Sequence, residues 1–165
     1  MPVYNSGFHQ AQPGAALPLP HPQLLQQTGP VIQVLVEVPT ALATQLQQTG
    51  QPVPQPVQGF ALIDTGASLS AVDATVVQQL GVQPVGLANV GTAGGPQQQA
   101  TYPARFSFPG SNLSAIDFNQ LLGVNLTGQF ALGAGHPIVA LLGRDLLQHF
   151  VLVYNGPGAM FTLAF

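Results

Sequence analysis

The residues best placed to do chemistry are Asp64-Thr65-Gly66-Ala67-Ser68, which follow the short apolar run Gly59-Phe60-Ala61-Leu62-Ile63. A carboxylate at the end of a buried strand is costly to desolvate unless donors surround it or a function requires it. The turn behind this acid supplies a hydroxyl and several backbone N–H groups, and Gly66 permits close approach of chain or substrate. An acid so placed can exchange a proton with a reacting group. The competing reading is a plain Asx turn in a β protein.

The rest of the composition makes that acid conspicuous. Only 4% of the 165 residues are charged: two Arg, no Lys, and five Asp or Glu, for a net charge of −3. A typical soluble domain carries roughly 25%. With Arg105 and Arg144 as the only cations, no basic surface exists to neutralise phosphates, which excludes nucleic acid and anionic membranes as partners. Three of the charged residues, Asp64, Arg144 and Asp145, fall in two short stretches, the one above and Ala140-Leu141-Leu142-Gly143-Arg144-Asp145-Leu146-Leu147. Cysteine is absent, so thiol nucleophiles, disulfides and zinc-thiolate sites are excluded. His9, His21, His136 and His149 show no metal-ligand spacing, and neither metal nor cofactor is expected. Asn112-Leu113-Ser114 and Asn125-Leu126-Thr127 match the glycosylation pattern. The start of the chain lacks a secretory pattern and no run of 18 apolar residues occurs, so those matches read as chance and a cytoplasmic protein is expected.

Several elements must position these residues. Hydrophobic residues make up 46% of the chain, enough for a packed core, while 19 Gly and 16 Pro disfavour long helices and favour short strands. Residues 1–29, with five prolines and no periodicity, read as a flexible or polyproline arm, and residues 30–165 as the folded domain. Val31–Val38 reads as a strand, and 39–58 as a Pro-rich loop with a brief helical turn near Leu42–Gln47. Asp73 is expected to cap a helix over Ala74–Leu80, which Gly81 stops. Val90–Gly95 reads as a hairpin tip, Asp117 as a solvated loop acid, and Leu121–Gly123 and Phe130–Leu132 as strand fragments. Pro137–Gly143 is a buried apolar run leading into a short helix over Arg144–Phe150, and Val151–Tyr154 with Met160–Phe165 forms a closing hairpin.

Together the two charged stretches resemble the signatures of the retropepsin-like aspartic proteases, the family of the retroviral proteases and their cellular and bacterial relatives. Ala61–Ser68 is similar to the family's apolar-apolar-Asp-Thr-Gly-Ala-Ser segment, and Ala140–Leu147 to its apolar-apolar-Gly-Arg-Asp segment. The Gly-rich stretch between them stands where the family places its flap, and the resemblance covers roughly residues 31–165. It implies an all-β, retropepsin-like closed barrel with one or two short helices. Since this chain carries one Asp-Thr-Gly, it also implies a two-fold homodimer with Asp64 from each protomer sharing one proton.

The implied activity is that of an aspartic endopeptidase on peptide or protein substrates, most active on the acidic side of neutral. By the same resemblance Thr65 ties the two active-site loops together, and Gly66, Ala67 and Ser68 line the substrate. Gly91, Thr92, Ala93 and Gly94 close over it as a flap, and Arg144 holds the active-site loop or a terminal strand by bidentate bonds. Ser68 stands where several retroviral members have an acid, so Asp145 or a carbonyl is left to receive Arg144. Apolar residues are expected to flank the cut, with Ala67, Ile138, Val139 and Leu141 as wall residues. The alternative is a catalytically silent dimeric module that binds peptides with the same fold.

Overall fold

The structure is a computed structural model that describes residues 3–11, 13–14, 17–92, 95–131 and 135–164, with Thr92 described in its backbone alone. In chain order it holds β1 (Val3–Gly7), β2 (His9–Gln10), β3 (Leu19–Pro20), α1 (Pro22–Thr28), β4 (Val31–Glu37) and α2 (Thr40–Gln48). Then follow β5 (Val57–Ile63), β6 (Ala71–Asp73), α3 (Ala74–Gln79), β7 (Gly86–Thr92) and β8 (Gly95–Ser107). The last are β9 (Ile116–Val124), β10 (Ile138–Leu142), α4 (Arg144–Leu147), β11 (Val151–Asn155) and β12 (Met160–Ala164). Strand dominates, as composition suggests, but the described residues hold four helices where one or two were expected. No helix among them is long and apolar enough to cross a membrane.

Seven strands pair in the order β4-β5-β10-β6-β9-β8-β7, and β4 also pairs with β8 through Leu35–Ser107, Val36–Phe106 and Glu37–Arg105. Apart from β7, each of these strands has a neighbour on both sides. Their inward faces make the core. In β4 the fully buried Ile32, Val34 and Val36 alternate with half-buried Gln33, Leu35 and Glu37, the period-2 pattern of a strand with one face inside. Phe106, Leu121 and Leu142 pack with them. Each such side chain contributes about 1.5–3 kcal/mol by leaving water.

The segment before residue 30 is not a structureless arm. β1 pairs along its whole length with β12, from Val3–Ala164 to Gly7–Met160. Phe8 and Leu25 are buried, and the Nδ1 of His21 caps α1 by accepting the Leu24 N–H at 3.0 Å. Among the described prolines of this segment, Pro20 sits in β3, Pro22 at the start of α1, and Pro13 and Pro18 between β2 and β3, positions that need no proline N–H. The Pro-rich stretch after β4 likewise hides a nine-residue helix, α2, because its prolines fall before and after it. The helix after β10 is shorter than expected, ending at Leu147. Asp73 caps α3 by accepting the Thr75 N–H at 2.8 Å, and Gly81 follows at φ +73°, a backbone conformation that suits glycine.

Asp117 is not a solvated loop acid. It lies in β9, where its carboxylate accepts from the Thr40 N–H (2.8 Å), the Thr40 hydroxyl (2.7 Å) and Arg105 Nη1 (2.7 Å). Arg105 also lies 3.6 Å from Glu37. One cation and two acids thus fasten the start of α2 to β4, β8 and β9. Partial burial pushes the Asp117 carboxyl up, but Thr40 and Arg105 outweigh it and hold the group below the usual carboxylate range. A depressed native value means that this contribution is present above the unfolded-state value and is lost as pH falls through the native one. Asp117→Asn is therefore expected to destabilise by less than about 1 kcal/mol near neutrality, since the site is exposed. Urea unfolding should show the gap between wild type and variant closing at acidic pH.

Candidate active site

Asp64 stands one residue beyond β5, on a loop that runs through Ser70 into β6. The buried part of β5 ends at Ile63, and Asp64 itself is half-buried at the surface of the sheet. Its N–H donates to Leu142 O at 3.0 Å, which aligns the loop's start with the end of the parallel neighbour β10. Its carboxylate accepts at Oδ1 from the Gly66 N–H (2.9 Å) and the Ala67 N–H (3.2 Å). Among the described residues no donor reaches Oδ2. The geometry is an Asx turn, and it leaves one carboxylate oxygen free at the surface.

The four carbonyls from Thr65 to Ser68 are turned the other way. Arg144 Nη1 donates to Thr65 O at 2.8 Å and to Gly66 O at 3.0 Å. The backbone N–H of Arg144 reaches Ala67 O at 3.0 Å, and that of Asp145 reaches Ser68 O at 3.2 Å. Four successive acceptors are thus taken by two successive residues. Arg144 serves the loop through one nitrogen shared between two carbonyls, rather than through a two-nitrogen fork, and neither Ser68 nor Asp145 receives it. Its guanidinium leaves no cation on Asp64: the ion pairs among the described residues both belong to Arg105.

Gly143 makes the close approach possible. A Cβ there would lie 2.5 Å from Leu69 C and 2.6 Å from Leu69 O, both backbone atoms that cannot swing aside. Sequence reading placed Gly143 in the second signature without seeing this reason. It also passed over Ser70, which is completely buried and bonded to the turn before α4. A serine two residues past the Asp-Thr-Gly-Ala-Ser motif, in front of an apolar strand, was the available signal.

Thr65, Gly66, Ala67, Ser68 and Arg144 are brought together with Asp64 by these contacts. Gly91 and Thr92 belong to a separate element, the β7–β8 hairpin, whose strands meet in register at Thr92–Gly95. Ala93 and Gly94 lie outside the described residues. Of the wall candidates, Leu141 is half-buried, while Ile138 and Val139 are buried in β10 and line a cavity with Asp73 and Leu126 that no residue of the Asp64 loop borders. Among the described residues no three His, Asp or Glu side chains converge as metal ligands would.

The family model described as aspartyl protease matches residues 50–146, more than half of the chain and a span that includes both the Asp64 loop and the Arg144 turn. No curated protein matches the chain.

Gly143→Ala is expected to destabilise the protein by at least about 2 kcal/mol, as overpacking against backbone does. Chemical denaturation would measure it. A variant as stable as wild type would show that the 143–69 contact does not constrain the loop.

Proposed function

The chain belongs to the retropepsin-like aspartyl protease family, and on that premise we propose that it is an aspartic endopeptidase whose catalytic pair is Asp64 from each of two copies. The observation that carries this reading is the Asp64 carboxylate, anchored at Oδ1 by two amides and open at Oδ2, on a loop whose next four carbonyls are drawn back by Arg144 and Asp145. An acid needed only for a turn would not require so elaborate a support.

One carboxylate cannot serve as base and acid in the same step, and the chain has one such loop. Two carboxylates held close by a two-fold axis do not ionise together easily and share a proton. The charged one takes a proton from water as the water oxygen attacks the scissile carbonyl carbon. The neutral one gives its proton to the carbonyl oxygen, producing a tetrahedral diol. In collapse the C–N bond breaks, the amine nitrogen gains a proton from the pair, and the carboxyl product keeps the water oxygen. Thr65 lies at the loop's exposed end, where it can meet its counterpart across the axis. Backbone groups of Gly66, Ala67 and Ser68, with the β7–β8 hairpin as flap, are the surfaces left for an extended peptide.

The ring of pairings through β4–β8 supports a closed barrel for the protomer. A second copy has a place to attach. β12 is flanked by β1 on one side and β11 on the other, so the terminal strand itself offers no edge. β11 does, and it exposes Val151 (59%), Val153 (52%) and Tyr154 (49%) without a charge or proline to guard it. A cavity of about 310 Å³ lined by Thr65, Arg144, Leu147, Gln148 and Leu152 runs from that strand to the active-site loop. Pairing through β11 would therefore bring two Asp64 loops to the same side of the assembly.

Two measurements test this. A denatured apolar-rich protein incubated across a pH series should be cut by wild type, and Asp64→Asn should slow the cut by at least about 100-fold. Cleavage by the variant at the wild-type rate would remove Asp64 from the chemistry, and no cleavage by wild type at any pH would leave a silent peptide-binding module. In sedimentation at micromolar concentration wild type should be dimeric and Val153→Lys monomeric and inactive. A monomer that cleaves would end the shared-pair mechanism.

A further inference from the structure

Beneath the loop lies a polar contact that touches neither the carboxylate nor any surface open to substrate. Ser70 is completely buried, and its Oγ accepts the Gly143 N–H at 3.0 Å. With that lone pair occupied, its proton is committed elsewhere, and it goes to Asp145 Oδ1 at 2.7 Å. The same Oδ1 accepts the Leu146 N–H at 2.9 Å, which fixes the carboxylate at the first turn of α4. Ser70 is the last residue before β6, which is held on both sides by β10 and β9. The loop that carries Asp64 is thus pinned at its start by Leu142 O and at its end by this Ser70–Asp145 bond.

A buried hydroxyl left without its acceptor is costly, so loss of Asp145 would press Ser70 to turn or the loop to shift. Arg144 and Asp145 donate through their backbones to Ala67 O and Ser68 O, so a shift at Ser70 is passed directly to the residues beside Asp64. The geometry points to Ser70 and Asp145 as positioning residues that set where the Asp64 carboxylate stands, with Asp145 serving as a hydrogen-bond acceptor and not as a partner for Arg144. This rests on the reading of Asp64 as catalytic. It assigns a purpose to the acid of the second signature that is independent of charge: an acceptor at Oδ1 suffices.

Misplacing a reacting group by an ångström can cost about 100-fold in rate while leaving substrate contacts in place. Asp145→Ala and Ser70→Ala are each expected to lower kcat by at least about 10-fold with KM within about twofold of wild type. Asp145→Asn keeps an acceptor oxygen and should restore kcat to within about threefold. The double variant Ser70→Ala/Asp145→Ala should be little worse than either single one, as for two partners of one bond. Amide exchange supplies a readout that needs no activity: in Asp145→Ala the N–H groups of Arg144 and Ala67 should lose protection, and in Asp145→Asn retain it.

An Asp145→Ala enzyme with unchanged kcat, a loss confined to KM, additive single effects, or Asp145→Asn as impaired as Asp145→Ala would each overturn the assignment. Should wild type cleave nothing, the protease reading fails, and the exchange pattern alone decides whether the bond positions the loop.

Discussion

The structure turns on a single grip: four residues, Leu142 to Asp145, hold the seven-residue loop from Asp64 to Ser70. Every acceptor from Thr65 O to Ser68 O, together with the Asp64 N–H and the Ser70 hydroxyl, is bonded to that short stretch. The consequence is directional. With its carbonyls occupied at the back, the loop turns the Gly66 and Ala67 amides towards its own acid, which is a donor-rich surrounding for a carboxylate. β5 and β10 run parallel and side by side, so the two stretches, distant in sequence, meet at the same end of the sheet. The glycine at the crossing point is what lets the two backbones touch.

Scarcity of charge gives this arrangement its electrostatic character. Glu37 and Asp117 share Arg105 around the start of α2, and Asp73 is consumed by α3 and the Leu126 N–H. Asp145 faces a buried serine, and Arg144 faces carbonyl oxygens. Asp64 is left as an acid with no ion pair among the described residues. Few charges on the chain are left to steer a charged molecule towards the loop. The near absence of Lys and Arg elsewhere has no explanation in the fold.

Sequence patterns revealed the strands well where apolar residues were bounded by punctuation: β4, β10 and β12 lie within the expected runs, while β5 starts two residues before its run, at Val57, and β11 ends one residue past its own, at Asn155. The cap at Asp73 and the stop at Gly81 were legible because their chemistry is local. What escaped was decided at a distance. α2 was obscured by prolines that border it. β1 has the sequence Val-Tyr-Asn-Ser-Gly, and becomes a strand only because β12 is beside it. Asp117 could not be told from a solvated acid without knowing that Thr40, 77 residues away, would donate to it. At the site, Asp64 and Arg144 were readable by motif, whereas the acceptors of Arg144 and the burial of Ser70 are products of tertiary contact.

The pairing of β1 with β12 also governs how the chain can be made. Val3 meets Ala164, so β1 has no partner until the chain has been made through β12. Contacts this distant in sequence form slowly, because loop closure must precede them. Through that interval β1 waits in solution while β12, with Phe161 and Leu163, is still on its way. Its polar and small residues suit a strand that must remain unpaired without attracting other chains. Folding of the seven-stranded core, whose loop and grip lie between residues 64 and 145, can therefore run ahead, with the β1–β12–β11 sheet sealed last.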